Sequence, residues 1–218
     1  KVAFVAGEYY QSRIRTLSLS TGIDAEIISS TFKLRLPKAS KDEVLVTSRE
    51  SGINQIYAYQ NNVRQQLTDF NINQKIVNFA SSTDKKWLAI NFTDGTTLYK
   101  RNQRGLTEVK RFELLSYPDF SASGKRLLLS DLVGDDGPTV IEYDLASYAT
   151  SKKIEPTHIR LKKSKFAVYH QLGIIYVPAD KPGVYLLTRN SDEVISEDVS
   201  PTTPEGFGLS ADQARLLV

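Results

Sequence analysis

The stretch "SASGKRLLLSDL" (residues 121–132) decides the fold: a turn of small and polar residues runs straight into an apolar strand. The phrase recurs as "SKDEVLV" (40–46), "SSTDKKWLAINF" (81–92) and "LSADQARLLV" (209–218). A marker position within it falls at Asp42, Asp84, Ser123 and Asp212, at spacings of 42, 39 and 89 residues. The last spacing is about two periods, so a degenerate copy is expected near residue 170; "YHQLGIIYV" (169–177) stands there with Leu172-Gly173 at its turn. One period before Asp42, "KVAFVAG" (1–7) reads as the strand that follows such a turn. Self-similarity at a fixed period of this size marks a repeat architecture.

Each unit keeps one order. The turn leads to a strand ("EVLVTS", "WLAINF", "RLLLSD", "GIIYVP"), a polar break, and a strand rich in Tyr and β-branched residues ("QIYAYQ", "TTLYKR", "TVIEYDL", "VYLLTR"). A second break precedes an outer segment ("RQQLTDF", "LTEVKRF", "SKKIEP", "EVISEDV"), and a last strand ("KIVNFAS", "SYPDFSA", "EGFGLSA") enters the next turn. β-Branched and aromatic residues suit a pleated, half-buried surface, while Gly, Asn and Asp suit tight turns. No long stretch has helical periodicity; "ELLSYPDF" has it briefly, but Pro118 and the repeat register override it. Four short strands per repeat of about 42 residues predict an all-β fold, a β-propeller or part of one built from four-stranded blades. We expect a single propeller domain over 1–218, with units of roughly 1–41, 42–83, 84–122, 123–170 and 171–211 and the start of a sixth at 212–218. The chain then begins and ends on the second strand of a blade, which favours a larger ring over five-bladed closure.

Composition bounds the function. With 218 residues, 40% of them hydrophobic, a sizeable core is available without disulfide or metal support. Cysteine is absent, which removes disulfides, thiolate metal sites and a Cys nucleophile. The formal charge of +3 is too small to argue for nucleic acid as a partner of this domain. No apolar run approaches the roughly 18 residues of a membrane helix, so membrane insertion by these residues is not expected. Methionine is also absent and the chain starts at Lys1, as expected of a processed chain or an excised domain.

The segment "DEVLVTSRESGINQIYAYQNNVRQQLTDF" (42–70) resembles the WD40-like (PD40) repeat of TolB-type propellers. That repeat joins a Ser-Pro-Asp-Gly-Lys turn and strand to a Ser-Arg-x-x-Gly break, an Ile-Tyr strand and a Leu-Thr. Ser48, Arg49, Gly52, Gln55, Ile56, Tyr57, Leu67 and Thr68 match it here, and Phe120, Ser121, Gly124, Lys125 and Leu127 match its opening. The turn proline is missing from every copy. The resemblance implies one of three settings: the extracytoplasmic half of a regulator similar to CadC or ToxR, a TolB-like periplasmic scaffold, or the gating propeller of a prolyl-oligopeptidase-like peptidase. It implies no catalytic group and no cofactor.

Candidate sites are sparse. Asp135 and Asp136 in "VGDDGPT" (133–139) are candidates for a binding loop, although a calcium loop needs six or more oxygen ligands and an acidic turn explains them as well. His158 and His170, twelve residues apart without acidic residues at ligand spacing, read as ordinary histidines, so no metal site is expected. Arg160, Lys162, Lys163 and Lys165 read as a solvated edge, where lysines oppose edge-to-edge pairing. Trp87 and the recurring Tyr57, Tyr99, Tyr143 and Tyr185 suggest packing between blades. There is no G-x-S-x-G elbow, P-loop, H-E-x-x-H or Gly-rich dinucleotide turn. The expectation is a non-catalytic extracytoplasmic sensor or interaction domain, reading a protein partner or small-molecule signal for a membrane-anchored transcription regulator.

Overall fold

A computed structural model describes the chain except residues 1, 9–10, 19–20, 40–41, 62, 103–104, 114–115, 122, 132–138, 155–163, 171, 179–180, 189–190, 199–207, 210–215 and 218. Every regular element among the described residues is a strand. β1 (Val2–Glu8), β2 (Gln11–Leu17) and β3 (Asp24–Ser30) form a three-stranded sheet. Four four-stranded sheets follow. The second contains β4 (Arg35–Ala39), β5 (Val44–Ser48), β6 (Gln55–Gln60) and β7 (Val63–Gln66). The third contains β8 (Ile76–Ser81), β9 (Trp87–Phe92), β10 (Gly95–Asn102) and β11 (Gly105–Phe112). The fourth contains β12 (Ser116–Phe120), β13 (Arg126–Asp131), β14 (Thr139–Asp144) and β15 (Ala149–Ile154). The fifth contains β16 (Ser164–His170), β17 (Gly173–Pro178), β18 (Val184–Leu187) and β19 (Asp192–Ser196). β20 (Gly208–Leu209) and β21 (Leu216–Leu217) pair with each other.

Each sheet is an antiparallel meander, so its two edges differ. First-to-second turns and third-to-fourth hairpins leave at one edge, the turn edge. Second-to-third hairpins and connections to the next sheet leave at the other. First strands are neighbours, β8 packing on β4 and β12 on β8, and β4 packs on β1 of the three-stranded sheet. The chain is therefore an all-β propeller, or part of one, with sheets stacked around their first strands. Sheet boundaries fall one strand before the repeated turn, which joins the first strand of a sheet to its second.

Strand composition explains the stacking. All six residues of β9 and all five of β5 are buried, so neither strand has a face for water. Side chains alternate between faces along a strand. Leu88, Ile90 and Phe92 pack with Leu45, Ile56 and Ala58 of the second sheet, while Trp87 and Ala89 pack with Leu127, Leu129 and Tyr143 of the fourth. Three of the recurring tyrosines lie in these seams as expected, while Tyr185 packs with Ile174, Tyr176 and Leu187 of its own sheet. Tyr57 packs with Ile14 and Ile28 of the first sheet. The Tyr99 ring lies 6.3 Å from Phe70 of the second sheet, and Tyr143 meets Phe112 of the third edge-on at 5.3 Å. Pro118 sits in β12, which pairs on one side only with β13, so its missing N–H costs no ladder bond there.

The repeated turn has one hydrogen-bond design. Ser82 Oγ accepts the Trp87 N–H at 3.0 Å, and Ser121 Oγ accepts the Arg126 N–H at 3.1 Å. The Lys85 and Gly124 N–H groups close the same turns onto the Ser82 and Ser121 carbonyls. Both residues are left-handed, with φ of 59° and 64°; glycine is the inexpensive choice there, and Lys85 is held by an ion pair to Asp42 at 2.5 Å.

Irregularities place the three-stranded sheet. In the third, fourth and fifth sheets the third and fourth strands shift register just before Tyr99, Tyr143 and Tyr185, though in the second they do not, whereas second and third strands pair without a shift in all four. β2 and β3 shift between Ile14 and Arg15, and β1 and β2 do not shift. β1, β2 and β3 thus occupy the second, third and fourth positions of their blade.

The seam between the second and third sheets carries a charged clamp at the turn edge. Glu43, 4% exposed, accepts two hydrogen bonds from the Arg101 guanidinium, both 2.8 Å. Breaking a buried pair strands the remaining charge, whereas replacing both partners by apolar residues is often neutral. Arg101→Ala is expected to lower unfolding free energy by about 3 kcal/mol, and Glu43→Leu with Arg101→Leu to recover most of it, as read by urea denaturation.

Candidate functional site

The residues that carry the family resemblance are joined by hydrogen bonds within the second sheet. Gln55, 1% exposed, accepts the Thr68 hydroxyl at 2.7 Å and the Phe70 N–H at 2.9 Å, and donates to the Phe70 carbonyl at 2.9 Å. Thr68 Oγ1 accepts the Ile56 N–H at 2.8 Å, and the Leu67 N–H donates to the Ile56 carbonyl. At the break, Arg49 Nε donates to Asn54 at 3.2 Å, and Gly52, at φ 85°, closes onto the Arg49 carbonyl. Glu50 pairs with Arg64, whose guanidinium lies over the Tyr57 ring. The shared phrase holds the 67–70 segment against β6, so it is architecture and leaves recognition to other residues.

The sequence candidates scatter. Asp135 and Asp136 lie outside the described residues, as do His158, Arg160, Lys162 and Lys163. His170 ends β16, where its Nδ1 accepts the Leu172 N–H at 3.2 Å and caps the turn. Lys165 lies on β16. Among the described residues, no three His, Cys, Asp or Glu side chains gather as metal ligands, and no helix is long and apolar enough to cross a membrane.

Two polar groups drawn away from water, one buried and one partly buried, lie on first and second strands. The Ser48 hydroxyl, on β5, is buried and has no hydrogen-bond partner. Asp119, on β12, accepts the Phe120 N–H at 2.8 Å; burial pushes its carboxyl above the usual carboxylate range, against the pull of that N–H and of Lys38. By contrast, at the repeated turn burial and three hydrogen-bonding or charged groups act in opposite directions on Asp84. Partial burial raises its carboxyl, but the Ser82 hydroxyl, the Lys86 N–H and the Lys86 ammonium together bring it below the ordinary value.

A further cluster lies at the turn edge of the seam between the third and fourth sheets, and sequence reading assigned its aromatic member to the core. Trp87 meets Tyr148 edge-on at 6.1 Å, and the Lys100 ammonium lies 5.9 Å above the indole. Trp87 is 8% exposed but Tyr148 is 46% exposed. Tyr148 sits in the β14–β15 hairpin at φ 55°, while the corresponding hairpins of the first three sheets use Gly22, Asn61 and Gly105 as their positive-φ residues. A tyrosine where its counterparts carry Gly or Asn is the signal that aligned units would have shown.

No protein-family model matches the chain, and none of the curated proteins does. Solved structures do. TolB from Acinetobacter baumannii superposes with a TM-score of 0.66 at 15% identity, over 97% of this chain and 61% of that one. The β-propeller domain of the Trilobed protease from Pyrococcus furiosus gives 0.52 at 14% identity over 82% and 60%. An acylaminoacyl peptidase from Pyrococcus horikoshii gives 0.53 at 16% identity over 78% of this chain and 33% of that one. The chain thus spans less than two thirds of the structures it matches. The likeness establishes the fold, a propeller or part of one.

Gln55→Ala removes the acceptor of two buried donors and is expected to cost about 2–3 kcal/mol, whereas Ser48→Ala deletes a hydroxyl that bonds nothing and is expected to be neutral or stabilising, both by urea denaturation. Because the native Asp119 carboxyl has a raised pKa, its contribution to stability is full at acid pH and is lost as pH rises through that raised value. Asp119→Asn is therefore expected to be more stable than the native chain at pH 7, with the gap closing as pH falls below the ordinary carboxylate range.

Proposed function

We propose that this chain is a non-catalytic protein-interaction domain that works outside the cytoplasm. The observation that supports this most is the propeller architecture over nearly the whole chain, with the shared repeat residues committed to holding strands and turns together. Such a scaffold leaves its turns and hairpins open to vary, and binding residues are disproportionately carried on loops held by a rigid frame. In finer terms, we read it as the sensing half of a membrane-anchored transcription regulator, with a protein or small-molecule signal received on a loop-lined edge. A free TolB-like scaffold and the gating propeller of a peptidase are the alternatives the fold equally admits.

The test is the intact mass and fractionation of the native polypeptide from its own cells. The regulator reading expects a membrane-bound chain much heavier than 24.4 kDa that binds DNA through another domain. A soluble periplasmic chain only slightly larger would replace it with the scaffold. A chain carrying a G-x-S-x-G hydrolase domain would overturn both.

A further inference from the structure

We infer that the turn-edge end of the seam between the third and fourth sheets docks an acidic, extended segment of a protein partner, with Tyr148, Trp87, Lys100 and Lys125 as its contacts. The inference rests on reading the chain as an interaction domain and names the surface and the chemistry of the partner.

The first observation is backbone strain kept in place for an exposed ring. A tyrosine in the left-handed region is less favourable than glycine, and such outliers persist where surrounding structure over-determines them. Here the Tyr143 hydroxyl donates to the Tyr148 carbonyl at 2.6 Å. Asp144 accepts the Ala146 and Ser147 N–H groups at 2.9 and 2.8 Å and the Ser147 hydroxyl at 3.0 Å. The hairpin is thus locked with the Tyr148 ring toward solvent and its edge on Trp87. A rigid, half-exposed aromatic standing over a buried indole has the character of a recognition anchor.

The second observation is charge without an internal partner. At the same level of the preceding seam, Glu43 and Arg101 close the surface with their clamp. Matching backbone bonds, Arg101 N–H to the Lys86 carbonyl and Leu145 N–H to the Lys125 carbonyl, show that Leu145 takes the place of Arg101 in the fourth sheet. Lys85, one residue after the turn marker as Glu43 is, stands where the clamp acid would be and turns back to Asp42. Nearby carboxylates are committed: Asp84 to Ser82 and Lys86, Glu142 to Arg126, Asp144 to its own turn. Lys100 and Lys125 are exposed and form no ion pair among the described residues. An incoming carboxylate would find in Lys100 and Lys125 two exposed cations that pair with no carboxylate among the described residues.

Spacing favours an extended chain. The separations from Lys100 to Trp87 and from Trp87 to Tyr148, 5.9 and 6.1 Å, are close to the roughly 6.6 Å between successive same-face side chains of a strand. A lone anion would use the lysines and leave Tyr148 idle.

Trp87 is the single tryptophan of the chain, so its emission reports on the site directly. The probe is a tryptophan-free peptide of alternating glutamate and valine, with the glutamine–valine peptide and inorganic phosphate as comparisons. We expect a saturable change in Trp87 emission with the glutamate peptide, at least tenfold weaker with the glutamine peptide. Lys100→Gln and Tyr148→Gly should each weaken binding at least tenfold; Tyr148→Gly should do so without lowering the melting temperature, because glycine takes the left-handed backbone freely. No saturable change, an equal response to phosphate, or full binding by both variants would overturn the site. A cross-linked native partner whose binding ignores both substitutions would also overturn it, while leaving the interaction-domain reading intact.

Discussion

A strand that is apolar on both faces cannot sit at a surface, and the rest of this structure follows from that constraint. β5 and β9 are buried throughout, so every sheet needs a neighbour on each side, and the seams between sheets are the true cores. The alternation along β9 divides its side chains between two seams, Leu88, Ile90 and Phe92 to one and Trp87 and Ala89 to the other. Each sheet therefore contacts chiefly the sheets before and after it, and its stability is a sum of local terms and nearest-neighbour interfaces, as in other repeat architectures.

In the third and fourth sheets the repeated phrase is the device that starts the buried second strand in register. A serine hydroxyl spans the turn to the first N–H of the strand, and a left-handed residue closes the loop onto the same serine carbonyl. Neither bond requires proline, which is why a chain lacking the turn proline still folds its turns alike. The Gln55–Thr68 network plays the corresponding part for the outer segment, where β7 is fully exposed and has little burial of its own to hold it. What this chain shares with TolB-like repeats is thus a set of backbone braces, and braces carry no information about what is bound.

This division explains what the sequence showed. "WLAINF", "RLLLSD" and "GIIYVP" coincide with β9, β13 and β17 because their burial on two faces demands uninterrupted apolar runs with turn residues before them. Outer strands blurred: "RQQLTDF" starts one residue inside β7 and extends into the braced segment Leu67–Phe70, whose Leu and Phe resemble strand residues yet pack on the sheet from a loop. The turn-to-turn units cut each sheet after its first strand, since the strongest local signal is the turn and pairing partners are not visible in one dimension. Trp87 and the tyrosines read correctly as packing residues, but the exposure of Tyr148 depends on a backbone angle that no residue pattern near it announces. Asp135 and Asp136 drew attention through their composition alone.

The two seams flanking the third sheet are built from different forces at the same level, and temperature acts on those forces in opposite directions. One is closed by the desolvated Glu43–Arg101 pair, the other by Trp87, Leu145 and their apolar neighbours. The cost of keeping ions out of water falls on warming, while apolar association loses strength on cooling. Both seams keep an apolar interior, so the contrast is confined to the turn edge: heat favours the Glu43–Arg101 closure there, and cold loosens the closure made by Trp87 and Leu145.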